Sequence, residues 1–166
     1  MNLTFTSPRD TKSGTIAAIL KACYASLIAS DPEFWGGEVE GWRRFDKDVY
    51  EDTDGIGDCA FLSWLSDELI GFVSFDPRQW PACGIIGHNA VLPAYQGLGY
   101  GKQQVTEILR RFLKMGFKKA KVSTLDHPFF IPAQAMYVSC GFVESRRVPW
   151  EGSPKFRLIH YELDLA

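Results

Sequence analysis

The sequence predicts a mixed α/β fold, one sheet with helices on both faces, and three observations point to it. Short β-branched and aromatic runs alternate with stretches whose apolar residues recur at helical spacing. The elements come in the order strand, helix, helix, three strands, then helix, strand, helix, strand, strand, which implies a mixed sheet. One apolar strand also runs directly into a glycine cluster that opens an amphipathic helix.

Leu3-Thr4-Phe5-Thr6 is a short first strand. Ile16, Ile19, Leu20, Cys23, Tyr24 and Leu27 form one apolar stripe, predicting a helix over about 13–29 that stops at Ser30-Asp31-Pro32. Residues 33–57 interleave Phe34, Trp35, Trp42, Phe45 and Tyr50 with charges. A second, irregular helix fits them, packing its aromatics on a sheet or forming a mobile pocket wall, before the turn-rich Asp52–Gly55. Cys59–Ser66 and Glu68–Phe75 read as a hairpin about Asp67. Cys83–Leu92 is a third long strand, closed by Pro93.

In the next helix Val105, Ile108, Leu109, Phe112 and Leu113 share one face, with Gln104, Glu107, Arg110 and Arg111 opposite. Gly116 suits its C-terminal cap. Lys119–Leu125 is a strand and Ala133–Cys140 a short helix ended by Gly141. Phe142–Arg147 and Phe156–Leu165 are the last strands, joined by a Pro149–Pro154 loop. The chain has no internal repeat and no low-complexity tract.

With 166 residues, 46% of them hydrophobic, one domain over 1–166 is expected. The net charge of −2 and the lack of a long basic run argue against a nucleic-acid footprint. The Lys118, Lys119 and Lys121 cluster reads as a solvated face. Cys23, Cys59, Cys83 and Cys140 contain no C-x-x-C pair, so no zinc or other metal site is expected. No apolar run is long enough to span a membrane, and Met1–Asp10 lacks the apolar core of an export signal. Free thiols in a cytoplasmic protein are the simplest expectation.

The segment from Val91 to Lys102 carries the chemistry. Three glycines in five residues, Gly97, Gly99 and Gly101, let backbone N–H groups approach an anion, and the helix beyond adds its own N-terminal amides. A Walker A loop is excluded, because Gln96 stands at its first glycine and Gln103 at its hydroxyl position. A dinucleotide fingerprint is excluded as well, because Lys102 stands where its third glycine belongs.

Val91, Pro93, Gln96, Gly99 and Gly101 match Val-x-Pro-x-x-Gln/Arg-x-x-Gly-x-Gly/Ala, so the chain resembles the GNAT superfamily of acyl-CoA N-acyltransferases. Ala133 to Phe142 resembles that family's later Ala-x-x-hydrophobic-Tyr-x-x-x-Gly-Phe motif. The resemblance covers residues 60–145 well and the first third only in element order. It implies a mostly antiparallel sheet, two splayed central parallel strands and about four helices. It also implies an N-acetyltransferase in which a primary amine, of a small molecule or a peptide, attacks acetyl-CoA directly in a ternary complex.

In that reading, acyl-pantetheine enters between the strand ending at Val91 and the strand Lys119–Leu125. Backbone groups of Ala90 and Val91 hold the pantetheine and polarise the thioester. Gln96, Gly97, Leu98, Gly99, Tyr100, Gly101 and Lys102 bind the pyrophosphate. Tyr137 matches the tyrosine that protonates the leaving thiolate. His88 and His127 are both candidates for the general base, with Asp126, Asp76 or a water relay as alternatives, and His160 reads as structural. Phe130 departs from the family pattern, standing where an Asn commonly contacts pantetheine. Trp35, Trp42 and Trp80 offer either cation–π faces or core packing. Family members often form homodimers. A CoA-binding sensor without turnover is the alternative function.

Overall fold

The computed structural model describes residues 1–165. Seven strands form one mixed sheet: β1 (Thr4–Thr6), β2 (Ala60–Leu65), β3 (Glu68–Asp76), β4 (Gly84–Val91), β5 (Lys119–Leu125), β6 (Val143–Trp150) and β7 (Ser153–Asp164). Their order is β1-β2-β3-β4-β5-β7-β6. The helices are α1 (Thr15–Cys23), α2 (Ala25–Ser30), α3 (Pro32–Trp35), α4 (Glu38–Glu51), α5 (Tyr100–Met115) and α6 (Ile131–Ser139). The chain divides into two compact units, Met1–Ser74 with His88–Gln104, and Phe75–Gly87 with the residues from Val105 on.

In the first unit, the expected apolar stripe is the core of the helical layer. Ile16, Ile19, Leu20, Cys23 and Leu27 are all buried. The expected single helix is divided at Tyr24, whose φ of −102° and ψ of 9° leave the helical region. Its ring stacks on Trp42 at 5.1 Å, which ties the bend to the next helix. Within residues 33–57, where a second, irregular helix is expected, the short α3 is followed after Gly36-Gly37 by the regular helix α4 over 38–51. Trp42, Val49 and the half-buried Phe45 pack with Leu62 and Phe72, so the aromatics serve as core.

Asp46 departs from the polar-outside pattern. It is 3% exposed, and its carboxylate accepts the Gly14 amide at 2.8 Å, the Ala17 amide at 2.9 Å and the Ser13 hydroxyl at 3.3 Å. A side chain on α4 thereby caps α1, whose own N-cap Gly14 has no side chain to do so.

In the second unit, β5 spans the predicted residues and pairs with β7 along all seven of them. Its parallel ladder with β4 sets Gly84 opposite Ala120 and Ile85 opposite Lys121. Phe112 packs edge-on to Phe75 at 5.3 Å and to Phe117 at 5.1 Å. Gly84 is required here, since a Cβ would lie 2.7 Å from the Phe112 ring. Gly116, at φ +83°, ends α5, and the Phe117 amide returns to the Phe112 carbonyl at 3.0 Å.

The expected Pro149–Pro154 loop contracts to a turn, because β6 runs to Trp150 and β7 begins at Ser153. Pro149 fits because β6 is the sheet edge and a shift in register lies beside it, and Pro154 fits because it is at the start of β7, before the pairing with β5 that runs from Leu158. Helix α6 starts at Ile131 rather than Ala133, with Pro132 in its first turn, where a missing N–H costs nothing.

Candidate active site

Within the first unit, the end of β4 and the loop after it bring together His88, Ala90, Val91 and Gln96–Lys102. Gly97 and Gly99 have φ of +74° and +86°, and among the described residues nothing lies within 4 Å of where a Cβ would project. These glycines serve backbone conformation and open approach, not tight packing. Tyr100 opens α5, and the Gln103 amide is bonded at 3.1 Å to the Gly99 carbonyl. Residues 100–102 form the first turn of α5, the end of a helix that carries partial positive charge.

Three side chains brace this segment, and sequence reasoning missed the role of each. Gln96 Nε2 donates to the Val91 carbonyl at 2.8 Å, and the Cys23 thiol donates to the same oxygen at 3.2 Å. The Gln96 amide itself closes a turn on the Pro93 carbonyl at 3.3 Å. Gln104 was expected on the polar, outward face of its helix, yet it is fully buried. Its Nε2 donates to Asn89 Oδ1 at 2.6 Å and to the Ala90 carbonyl at 3.3 Å. Burial pushes the Cys23 thiol up to about 12, so it remains a protonated donor.

His88 is packed against Phe45 (5.0 Å between centroids) and Phe72 (5.8 Å), and its amide donates to Ser74 Oγ at 2.9 Å. Burial among these rings pushes its pKa down to about 4, so the imidazole is neutral at pH 7.

The second unit holds Tyr137 and His127. Tyr137 is 4% exposed, edge-on to Phe142 at 5.7 Å and 6.3 Å from the Tyr161 ring. Gln134, on the same helix, donates to the Leu125 carbonyl at 3.0 Å and ties α6 to the end of β5. His127 Nδ1 accepts the Phe129 amide at 3.0 Å and caps the turn before α6. A neutral ring that accepts at Nδ1 carries its proton on Nε2.

The two acids weighed as alternatives are engaged elsewhere. Asp126 Oδ1 accepts the Arg157 amide at 2.7 Å, and Asp76 is clasped by Arg78 at 2.5–3.0 Å, which holds its carboxyl below the usual range. Of the three tryptophans weighed as cation–π faces, Trp35 and Trp42 are buried. Trp80 is 62% exposed and donates to the Met115 carbonyl at 2.9 Å.

The family model for the acetyltransferase (GNAT) family matches residues 21–142. The chain belongs to the GNAT family. The match begins well before the motifs, inside α1, so the helical layer carries family character that element order alone had suggested.

The fold agrees with solved GNAT structures. A Desulfovibrio desulfuricans protein described as a GNAT-family acetyltransferase is similar at a TM-score of 0.78 and 15% identity, covering 99% of each chain. A Salmonella typhimurium protein described as an acetyltransferase, solved with acetyl-CoA, is similar at 0.67 and 16% identity over 100% of this chain and 95% of its own. A Bacillus subtilis acetyltransferase in complex with CoA is similar at 0.64 and 18% identity, covering 99% of each. No curated protein matches the chain to the same standard. Where many GNAT sequences have Asn, Phe130 here joins a cluster with Phe129 (5.0 Å) and His127 (6.4 Å), and Phe156 lies 5.1 Å from the histidine ring. Among the described residues no helix is long and apolar enough to cross a membrane.

Proposed function

We propose that the chain is an N-acetyltransferase that transfers acetyl from acetyl-CoA to a primary amine by direct attack in a ternary complex. One observation carries this reading: a family-matched loop with two positive-φ glycines, whose Cβ positions would meet nothing within 4 Å among the described residues, runs from the end of β4 into the start of α5. The amides of Gly97, Leu98, Gly99, Tyr100, Gly101 and Lys102 bind the pyrophosphate of acetyl-CoA. Gln96 works differently from the other loop residues, bracing the loop through Val91 while the phosphates rest on its neighbours.

Ala90 and Val91 guide the pantetheine. Their carbonyls already accept Gln104, Gln96 and Cys23, so their contribution to polarising a thioester oxygen comes from N–H donors. The amine nitrogen attacks the thioester carbon, the C–S bond breaks as the tetrahedral intermediate collapses, and Tyr137 gives its phenolic proton to the departing sulfur.

Of the two histidines, His88 lies on β4 two residues before Ala90 and is assigned the proton-relay role. It is neutral at pH 7 and keeps a lone pair, although its low pKa makes it a proton relay rather than a resting place. His127 presents Nε2–H while it caps Phe129, and it acts as a hydrogen-bond donor to the acceptor substrate.

The test is thermal unfolding with acetyl-CoA, CoA, ATP and NAD in parallel, followed by thiol release across a panel of amines. Ligand at about 100 times its Kd adds roughly 2.7 kcal/mol to stability. Stabilisation by acetyl-CoA and CoA alone, with amine-dependent thiol release, is expected. No shift with either CoA form overturns the cofactor assignment, and binding without release for any amine overturns catalysis.

A further inference from the structure

The open face of β5-β7-β6 carries a feature that acyl transfer does not use. Residues paired across an antiparallel ladder share a face, so Lys121 lies beside Glu162 and Ser123 beside His160. On the other side of β7 the register shifts: Glu144 is opposite Tyr161, but Arg146, not Ser145, is opposite His160. A bulge therefore adds one residue to β6 and re-aims an arginine onto this face. Without it, Ser145 would oppose His160.

The result is a cavity of about 380 Å³ lined by Lys121, Ser145, Arg146, His160, Tyr161 and Glu162. Its charges do not cancel. The Glu162 carboxylate is held closest by Lys119, at 2.8 Å, and lies 3.6 Å from Lys121. Arg147 is paired with Glu144, whereas Arg146 has no carboxylate within 4.0 Å among the described residues. One guanidinium and one ammonium therefore face a polar concavity with a single carboxylate that a third cation already engages.

We propose that this concavity is a binding site for a small oxyanion, a carboxylate or a phosphate, held between the Arg146 guanidinium and the Lys121 ammonium. Guanidinium supplies paired N–H donors in a planar fork that suits two oxygens of one group. Ser145 adds a hydroxyl that already has a partner, donating to the His160 carbonyl at 3.2 Å, and Ser123 Oγ, outside the lining, is 2.7 Å from His160 Nδ1.

His160 is a built-in reporter. Its pKa is lowered first by burial and then by the charges of Arg146 and Lys121. The groups around it are Lys121 and Ser123 on β5, Ser145 and Arg146 on β6, and Tyr161 and Glu162 on its own strand. An anion between the two cations offsets their repulsion, so binding raises the His160 pKa.

The experiment follows the His160 ring proton by NMR, assigned with His160→Gln, as inorganic phosphate is added at constant ionic strength. CoA is present to occupy the glycine loop. The expected result is a saturable rise in the His160 titration midpoint. Loss of a charge-assisted contact in Arg146→Gln weakens it about tenfold or more. Arg146→Lys keeps the charge and retains part of the effect, which separates a lost site from a damaged fold. An unchanged midpoint, an equal effect in Arg146→Gln, or the same response to chloride overturns the proposal.

A second arm identifies the source of the anion, using amines with and without a carboxylate or phosphate. A rise in KM in Arg146→Gln confined to the anionic amines places the acceptor's own group in the site. A phosphate effect on the rate with every amine, without competition, marks a free effector. Because the phosphate arm needs no turnover, it stands or falls apart from the acetyltransferase reading.

Discussion

Replacing Asp46 by alanine tests whether one buried carboxylate holds the two main helices of the first unit together. The group is 3% exposed and receives two backbone amides, at 2.8 and 2.9 Å, plus a hydroxyl at 3.3 Å. Losing a side-chain cap costs about 1–2 kcal/mol. Each donor stranded away from water adds about 1–3 kcal/mol. Gly14 is exposed and Ala17 half-buried, so water recovers part of that second cost. The expected loss is about 3 kcal/mol, a large share of the roughly 5–15 kcal/mol that stabilises a folded protein. Urea unfolding should show it as a lower midpoint with an unchanged slope. Asp46→Asn keeps one acceptor oxygen and should fall between the two. Amide exchange at Gly14 and Ala17 should accelerate in both variants. A loss below about 1 kcal/mol for the alanine variant, or full stability with Asn, would show that the carboxylate is not the cap described here.

Three further outcomes bear on the site. Tyr137→Phe should lower kcat by about 10²–10⁴-fold while leaving stabilisation by CoA intact; an unchanged kcat removes Tyr137 from the acid role. Gly99→Glu should abolish stabilisation by acetyl-CoA, because a side chain at φ +86° strains the loop and its charge repels phosphate; intact binding in the folded variant refutes the cradle. His88, with its ordinary value of 6.5 lowered to about 4, takes up a proton in the unfolded chain before the folded one. Stability should therefore fall as pH drops from 6.5 towards 4, by roughly 3 kcal/mol from this residue. Urea midpoints at both ends of that window should converge in His88→Gln, and an unaltered pH slope in the variant would assign the loss to other groups.

Much of this was legible because apolar period reports burial directly. The α1 stripe, the limits of β5 and the cap at Gly116 follow from side-chain type at fixed spacing. The glycine loop was legible for a related reason, since glycine takes the positive φ values found at positions 97 and 99 at no steric cost. What escaped was every polar residue whose partner is distant in sequence. Gln104 reads as the outer face of a helix, and only tertiary structure supplies Asn89 and Ala90 as partners. Asp46 reads as one charge among many on α4, while its partners lie about thirty residues earlier. The β6 bulge is invisible in Glu-Ser-Arg-Arg, because register is a property of a pair of strands and not of either one.

Three of the side chains whose roles the sequence concealed, Cys23, Gln96 and Gln104, meet at the end of β4, where the glycine loop begins. Glycines lower the steric barrier to an anion, but they also leave a backbone with more conformational freedom to lose. At the end of β4 that freedom is removed by side chains. Cys23 and Gln96 converge on the Val91 carbonyl, and Gln104 engages Asn89 and Ala90. Gly71, on β3, permits this closeness: a Cβ there would collide with the Ala90 carbonyl and come within 2.7 Å of Gln104 Oε1. The Gln104 network has little exchange with water to weaken it, since Gln104 is fully buried, and hydrogen bonds in such surroundings hold geometry more firmly than exposed ones. The glycine loop is open to a ligand on one side and fixed by buried hydrogen bonds at its root. For the pyrophosphate site proposed above, a loop already held in place loses little entropy when its ligand binds.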